Sequence, residues 1–184
     1  MIETSETERA IAEVASAVTS VPPEALDRAA AMIAGAGTVA AYAGGREGLV
    51  MRGLVMRLFH AGVDAHYVGE MTVPHVGKGD LLILSCGPGR ISMVRAIADT
   101  ARAAGADLLY ITAEPDIEPA DRASETIAID AQTMAKDDKS TAALPMGSAY
   151  EIGLFVLADL ITRRVRDLRG DDAAAMRARH TNLE

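Results

Sequence analysis

Residues 80–89 read DLLILSCGPG. The continuous apolar run is bounded by Asp80 on one side and by Gly87-Pro88-Gly89 on the other. Such a run marks a strand buried on both faces, as in a parallel sheet covered by helices. A helix is predicted over 91–104, closed by Gly105, and a second apolar strand over 107–112. Upstream, a strand over 38–43 ends at Gly44-Gly45. The helix predicted over 47–60 carries Val50, Leu54, Val55 and Leu58 on one side, and a strand follows over 64–68. Ile11, Val14, Ala15 and Val18 keep helical spacing, with Ser5-x-x-Glu8 as a capping box. Pro22-Pro23-Glu24 ends that helix and opens another through Leu26, Ala30 and Ile33 to Gly35/Gly37. Downstream come a strand over 125–129, a polar loop over 130–140, a long helix from about 147 to 169, and a short helix toward His180. This alternation predicts an α/β fold: a three-layer αβα sandwich, flavodoxin-like, with about five parallel strands, as a single domain over residues 1–184.

Composition narrows the function classes. The chain has 184 residues, 49% hydrophobic and 24% charged, which suits one globular domain and excludes wholesale disorder. A net charge of −8 weighs against a phosphate-tracking nucleic-acid surface. The single cysteine, Cys86, excludes an intrachain disulfide and a Cys-rich zinc module. Aromatic residues at 3%, with no Trp, weigh against a stacking platform. The acidic start, MIETSETERA, lacks the basic and apolar segments of a signal peptide. The uncharged stretch from Ala29 to Gly45 is mostly Ala and Gly and falls short of about 20 strongly apolar residues. The expectation is a soluble cytoplasmic protein with no nucleic-acid or membrane partner and no metal.

Right-handed crossovers place the loops after the strands along one edge of such a sheet, where ligands bind. Two of these loops have unusual chemistry: Gly44-Gly45-Arg46-Glu47-Gly48 and Cys86-Gly87-Pro88-Gly89-Arg90. Both are strand–glycine–helix junctions, whose free N–H groups attract anions. A lone glycine turn more often serves only the turn; two on one edge shift the balance toward a site. Neither carries the Gly-Lys-Ser/Thr of a P-loop or a full GxGxxG. Other candidates have bland explanations. A thiol at a strand's end, such as Cys86, is more often inert than nucleophilic. Glu151 in the first turn of the long helix is a favourable charge there, worth about 0.3–1 kcal/mol. His60 and His66 read as structural, and position alone places His75 near the site. The nine methionines read as core filler, and His180 lies near an end that is normally frayed.

Five stretches carry a family resemblance: GGREGLVMRGLVMRLFHAG (44–62), YVGE (67–70), GDLLILSCGPG (79–89), LPMGSAYE (144–151) and RHTNLE (179–184). The chain resembles a sugar isomerase (SIS) domain, and specifically the 6-phospho-3-hexuloisomerases. The resemblance implies a tetramer that isomerises a sugar phosphate without cofactor or metal. It implies that Gly45, Arg46, Glu47 and Gly48 match one substrate loop, and that Cys86, Gly87, Pro88, Gly89, Arg90 and Ile91 match the other. It further implies Glu151 as catalytic base and His180 as a residue entering a neighbouring subunit's site, with helix 3–21 and tail 171–184 in subunit contacts.

The departures from the family pattern are specific. Glu47 stands where the family has a serine facing phosphate, Cys86 and Pro88 replace two more serines, and Ile91 replaces a threonine. Arg90 takes a glutamate's place. Two readings stay open. Arg46 and Arg90 hold an anion bidentately, with Glu47 swung away or paired to one of them. Alternatively, the chain binds a different, even unphosphorylated ligand, as a sensor module or as an isomerase for another sugar.

Overall fold

A computed structural model describes residues 4–136 and 142–183. Residue 3 of the expected first helix, the end of the expected 130–140 loop and Glu184 of the terminal motif lie outside the described residues. Five strands, β1 (Val39–Ala43), β2 (Ala65–Tyr67), β3 (Leu81–Ser85), β4 (Asp107–Thr112) and β5 (Glu125–Ala128), form one sheet in the order β2-β1-β3-β4-β5. Every neighbouring pair is parallel. The helices are α1 (Thr4–Thr19), α2 (Pro23–Gly35), α3 (Glu47–His60), α4 (Ser92–Ala103), α5 (Ser148–Arg169) and α6 (Ala173–Ala178). The expected α/β three-layer sandwich is present. One local expectation fails: Ser5 lies inside α1 and is not its N-cap.

The two-residue period of β3 divides the core. Leu81 and Ile83 face the layer made by α2, α3 and α5, where Ile33, Met51, Leu58, Leu154 and Ile161 are all buried. Leu82, Leu84 and Cys86 face the opposite layer, whose helical cover is α4 through Val94, Ala98 and Ala101. This second layer is thin because the crossover from β2 to β3 forms no helix. Residues 68–80 contain Gly69, Pro74, Gly77 and Gly79 and lack helical apolar spacing. The gap is an apolar hollow lined by His75 with Val68, Leu82 and Ile97. His75 therefore lies away from the candidate site, contrary to its expected position. α1 packs outside α5, where a Cβ at Gly153 would come within 3.1 Å of the Ala17 methyl. Among the described residues no helix is long and apolar enough to cross a membrane.

The chain order reverses between β1 and β3, so the crossovers diverge there and leave a crevice beyond the strands' carboxyl ends. Gly48 fixes one wall. A Cβ at that position would meet the Ala43 carbonyl oxygen at 2.7 Å and the Tyr67 hydroxyl at 2.8 Å. The first turn of α3 therefore lies directly on the end of β1, and Arg46 and Glu47 are held at the crevice.

Candidate active site

A cavity of about 540 Å³ occupies the crevice. Gly44, Gly45, Arg46 and Glu47 line it from the β1–α3 junction, and Gly87, Pro88 and Ile91 from the β3–α4 junction. Thr133 and Met134 follow β5, while Met146, Gly147, Tyr150 and Glu151 open α5. Met146 and Gly147 both adopt positive φ, 54° and 83°, which turns the chain sharply into α5. That turn brings Tyr150 and Glu151 against the loops after β1 and β3.

Glu151 faces the cavity with its side chain 15% exposed. Its Oε2 lies 3.1 Å from Arg46 Nη2, yet among the described residues this buried oxygen has no hydrogen-bond partner. Charge is balanced while the lone pair stays open. Burial raises the Glu151 pKa from its ordinary value, and the charge of Arg46 opposes that rise in part. Arg46 is itself steadied by Nη1 donating to Ser148 Oγ at 3.2 Å. A second unpaired buried oxygen, Thr133 Oγ1, belongs to the same lining.

Glu47 stands in contrast. It is buried and pairs with neither Arg46 nor Arg90, so both expected positions, swung outward or paired to an arginine, are corrected. Ser85 Oγ donates to Glu47 Oε2 at 2.6 Å. The Gly87 N–H points at both carboxylate oxygens, 3.1 Å from each. The buried Tyr150 hydroxyl lies 3.0 Å from Ser85 Oγ; since the Ser85 proton goes to Glu47, Tyr150 is the donor. Burial raises the pKa of Glu47, the bonds from Ser85 and Gly87 oppose that rise, and the nearby Glu151 adds to it.

Of the residues singled out in the sequence, Gly44, Gly45, Arg46, Glu47, Gly87, Pro88, Ile91 and Glu151 line one cavity. The others stand outside it. Gly48, in the first turn of α3, is packed against the end of β1. Gly89, at φ 81°, is pressed against Glu114. Cys86 is fully buried on the opposite face of the sheet, and burial pushes its thiol up to about 11, as expected for an inert thiol. Arg90 is exposed, lining an adjacent groove with Ser92 and Arg95 that shares Ile91 with the cavity. His180 stacks on His60 with ring centroids 5.0 Å apart, at the far end of α3. Fourteen helical residues span about 21 Å, so within one chain His180 is remote from Glu47. Sequence reading missed Ser85, Thr133, Ser148 and Tyr150.

A parallel sheet of this order with a switch-point cavity of this kind is that of a sugar isomerase (SIS) domain. A Methanococcus jannaschii protein of this fold, whose crystal structure infers a 3-hexulose-6-phosphate isomerase function, superimposes with a TM-score of 0.84 at 27% identity, over 98% of this chain and 99% of that one. No family model matches the chain. Among curated proteins, the 3-hexulose-6-phosphate isomerase of Mycobacterium gastri is 34% identical over 172 residues, 94% of this chain and 86% of that protein. The Bacillus subtilis protein of the same name is 30% identical over 76% of each chain. The chain belongs to the 3-hexulose-6-phosphate isomerase family.

Proposed function

We propose that the protein is a phosphosugar isomerase that moves a carbonyl between adjacent carbons of a phosphorylated ketose, with Glu151 as the base. Glu151 takes the proton from the carbon beside the carbonyl, leaving an enediolate, and returns it to the former carbonyl carbon. The hydroxyl proton passes between the two oxygens, so substrate and product have the same composition. The observation that carries this reading is the open, buried Oε2 of Glu151 in the cavity. A carboxylate whose pKa is raised by burial is a stronger base than an exposed one. Arg46, 3.1 Å from that oxygen, is placed to stabilise charge on the enediolate oxygens. Thr133 Oγ1 supplies an unpaired hydroxyl for the sugar. One carbon is oxidised as its neighbour is reduced, so the reaction balances within the substrate and calls for no external oxidant or reductant. The substrate class follows the curated relatives, named for 3-hexulose-6-phosphate; Arg90 at the rim is the free guanidinium for its phosphate.

The working unit is a homotetramer in the cytoplasm, with α1 and the C-terminal tail at subunit contacts. Ile11, Phe59, Ile152 and Phe155 expose apolar side chains on α1, α3 and α5, a surface suited to a second copy of the chain. His180 then reaches the cavity of a neighbour, since its own is out of range. Incubation with 3-hexulose 6-phosphate, followed by ¹³C NMR, tests the activity: the carbonyl signal should move to the adjacent carbon. Unchanged substrate in the presence of folded protein that binds it would favour the sensor reading.

A further inference from the structure

We infer that Glu47 fixes how the substrate is oriented: its own carboxylate fills the anion cradle of the β3–α4 loop, so the substrate's phosphate lies outside that cradle and the Glu47 end of the cavity receives a neutral hydroxyl. Glycine junctions at this sheet edge bind anions by pointing uncommitted backbone N–H groups at them. Here none is left from Cys86 to Gly89. Cys86 N–H donates to the Ile111 carbonyl at 2.9 Å, and Gly89 N–H to the Cys86 carbonyl at 2.9 Å. Pro88 has no N–H, and Gly87 N–H is spent on Glu47. The Ser85 hydroxyl, a fourth donor, is also spent on Glu47.

At Gly87, an incoming phosphate would therefore meet a buried carboxylate instead of a donor. A sugar hydroxyl, in contrast, can donate to that carboxylate, which faces the cavity and has no cation beside it. Next to the cavity, the Arg90 guanidinium makes no hydrogen bond or ion pair among the described residues and lies on the outer side of Ile91. The orientation that follows is phosphate at the rim and hydroxyl end inward. It rests on the phosphosugar reading for the identity of the ligand, but the filled cradle itself does not.

Calorimetric titration with inorganic phosphate tests the cradle directly. Glu47→Ser releases Gly87 N–H and the Ser85 hydroxyl, and should bind phosphate at least about tenfold more tightly than the wild type. Glu47→Gln removes the charge but keeps the cradle filled, and should gain less. A natively folded Glu47→Ser protein that binds phosphate no better than the wild type would overturn the inference. A wild-type crystal soaked in phosphate asks the same question without a variant. Glu47 still on Gly87 supports the filled cradle, whereas phosphate on Gly87 with Glu47 displaced refutes it. Inactivity of the wild type toward sugar phosphates would strike the isomerase reading alone, and phosphate on Gly87 in an active enzyme would strike this inference alone.

Discussion

Glu47 and Glu151 enter the same cavity from the first turns of two different helices, α3 and α5, and their surroundings are opposite. Glu47 has hydrogen bonds and no cation; Glu151 has a cation 3.1 Å away and an oxygen with no hydrogen bond. A carboxylate held by Ser85 and Gly87 is part of the wall, because moving a proton through it would break those contacts. A carboxylate that is charge-balanced but left with an open lone pair is poised for a proton from outside. Burial raises both pKa values, so the shift alone does not distinguish them; the hydrogen-bond pattern does.

The largest effect that tests the contrast comes from Glu151→Gln, which keeps shape but removes the base. Turnover should fall by about 10²–10⁴ while circular dichroism stays native; an active variant would remove Glu151 from its role. Gly48→Ala attacks the Glu47 side by forcing α3 off β1, because the new methyl meets backbone at Ala43. Denaturant titration should show a loss of about 1–3 kcal/mol, and an unchanged midpoint would mean that α3 is not held as described. Arg46→Gln sharpens the Glu151 side. Arg46 lowers the Glu151 pKa, so its loss raises that pKa, and the acid limb of the kcat/KM profile should move to higher pH. A limb that stays in place would show that Arg46 does not tune the base. The smallest effect concerns Glu47 and stability. Its folded pKa lies above the unfolded value of about 4.3, so the folded state holds the proton more tightly. Wild-type stability should then decline as pH rises from the unfolded pKa through the folded one. Glu47→Gln should lack that part of the decline, and parallel Tm–pH curves for the two proteins would contradict the burial argument.

The fold was legible because its signals are local and repeated. DLLILS (80–85), stopped by Gly87-Pro88-Gly89, marked a doubly buried strand, and α3 was bracketed by Gly45 and Gly62. The site was legible where a motif carried it: Arg46, Glu47, Gly87 and Glu151 do line one cavity. What could not be read was direction. Ser85 and Cys86 are adjacent, yet the two-residue alternation turns Ser85 toward Glu47 and Cys86 toward Tyr110, and nothing in the loop's composition says which faces the cavity. Tyr150 stands beside Glu151 with nothing in the sequence to single it out, although its hydroxyl lies 3.0 Å from Ser85 Oγ. Thr133 sits in no motif and enters only because the chain after β5 folds back under Gly147. Arg90 follows the glycine turn but points along the outer side of Ile91. The tail's place is set at long range, by Arg179 donating to the His60 carbonyl and to Asp171, contacts that no spacing announces.

The central claim is that a buried carboxylate in this cavity lifts a proton from the carbon beside a sugar carbonyl. The most direct measurement is NMR of 3-hexulose 6-phosphate incubated with the wild-type protein in D₂O. The account predicts deuterium at the carbon next to the carbonyl, accumulating with the enzyme and not without it. Saturable binding of the sugar phosphate with no deuterium incorporated would contradict it.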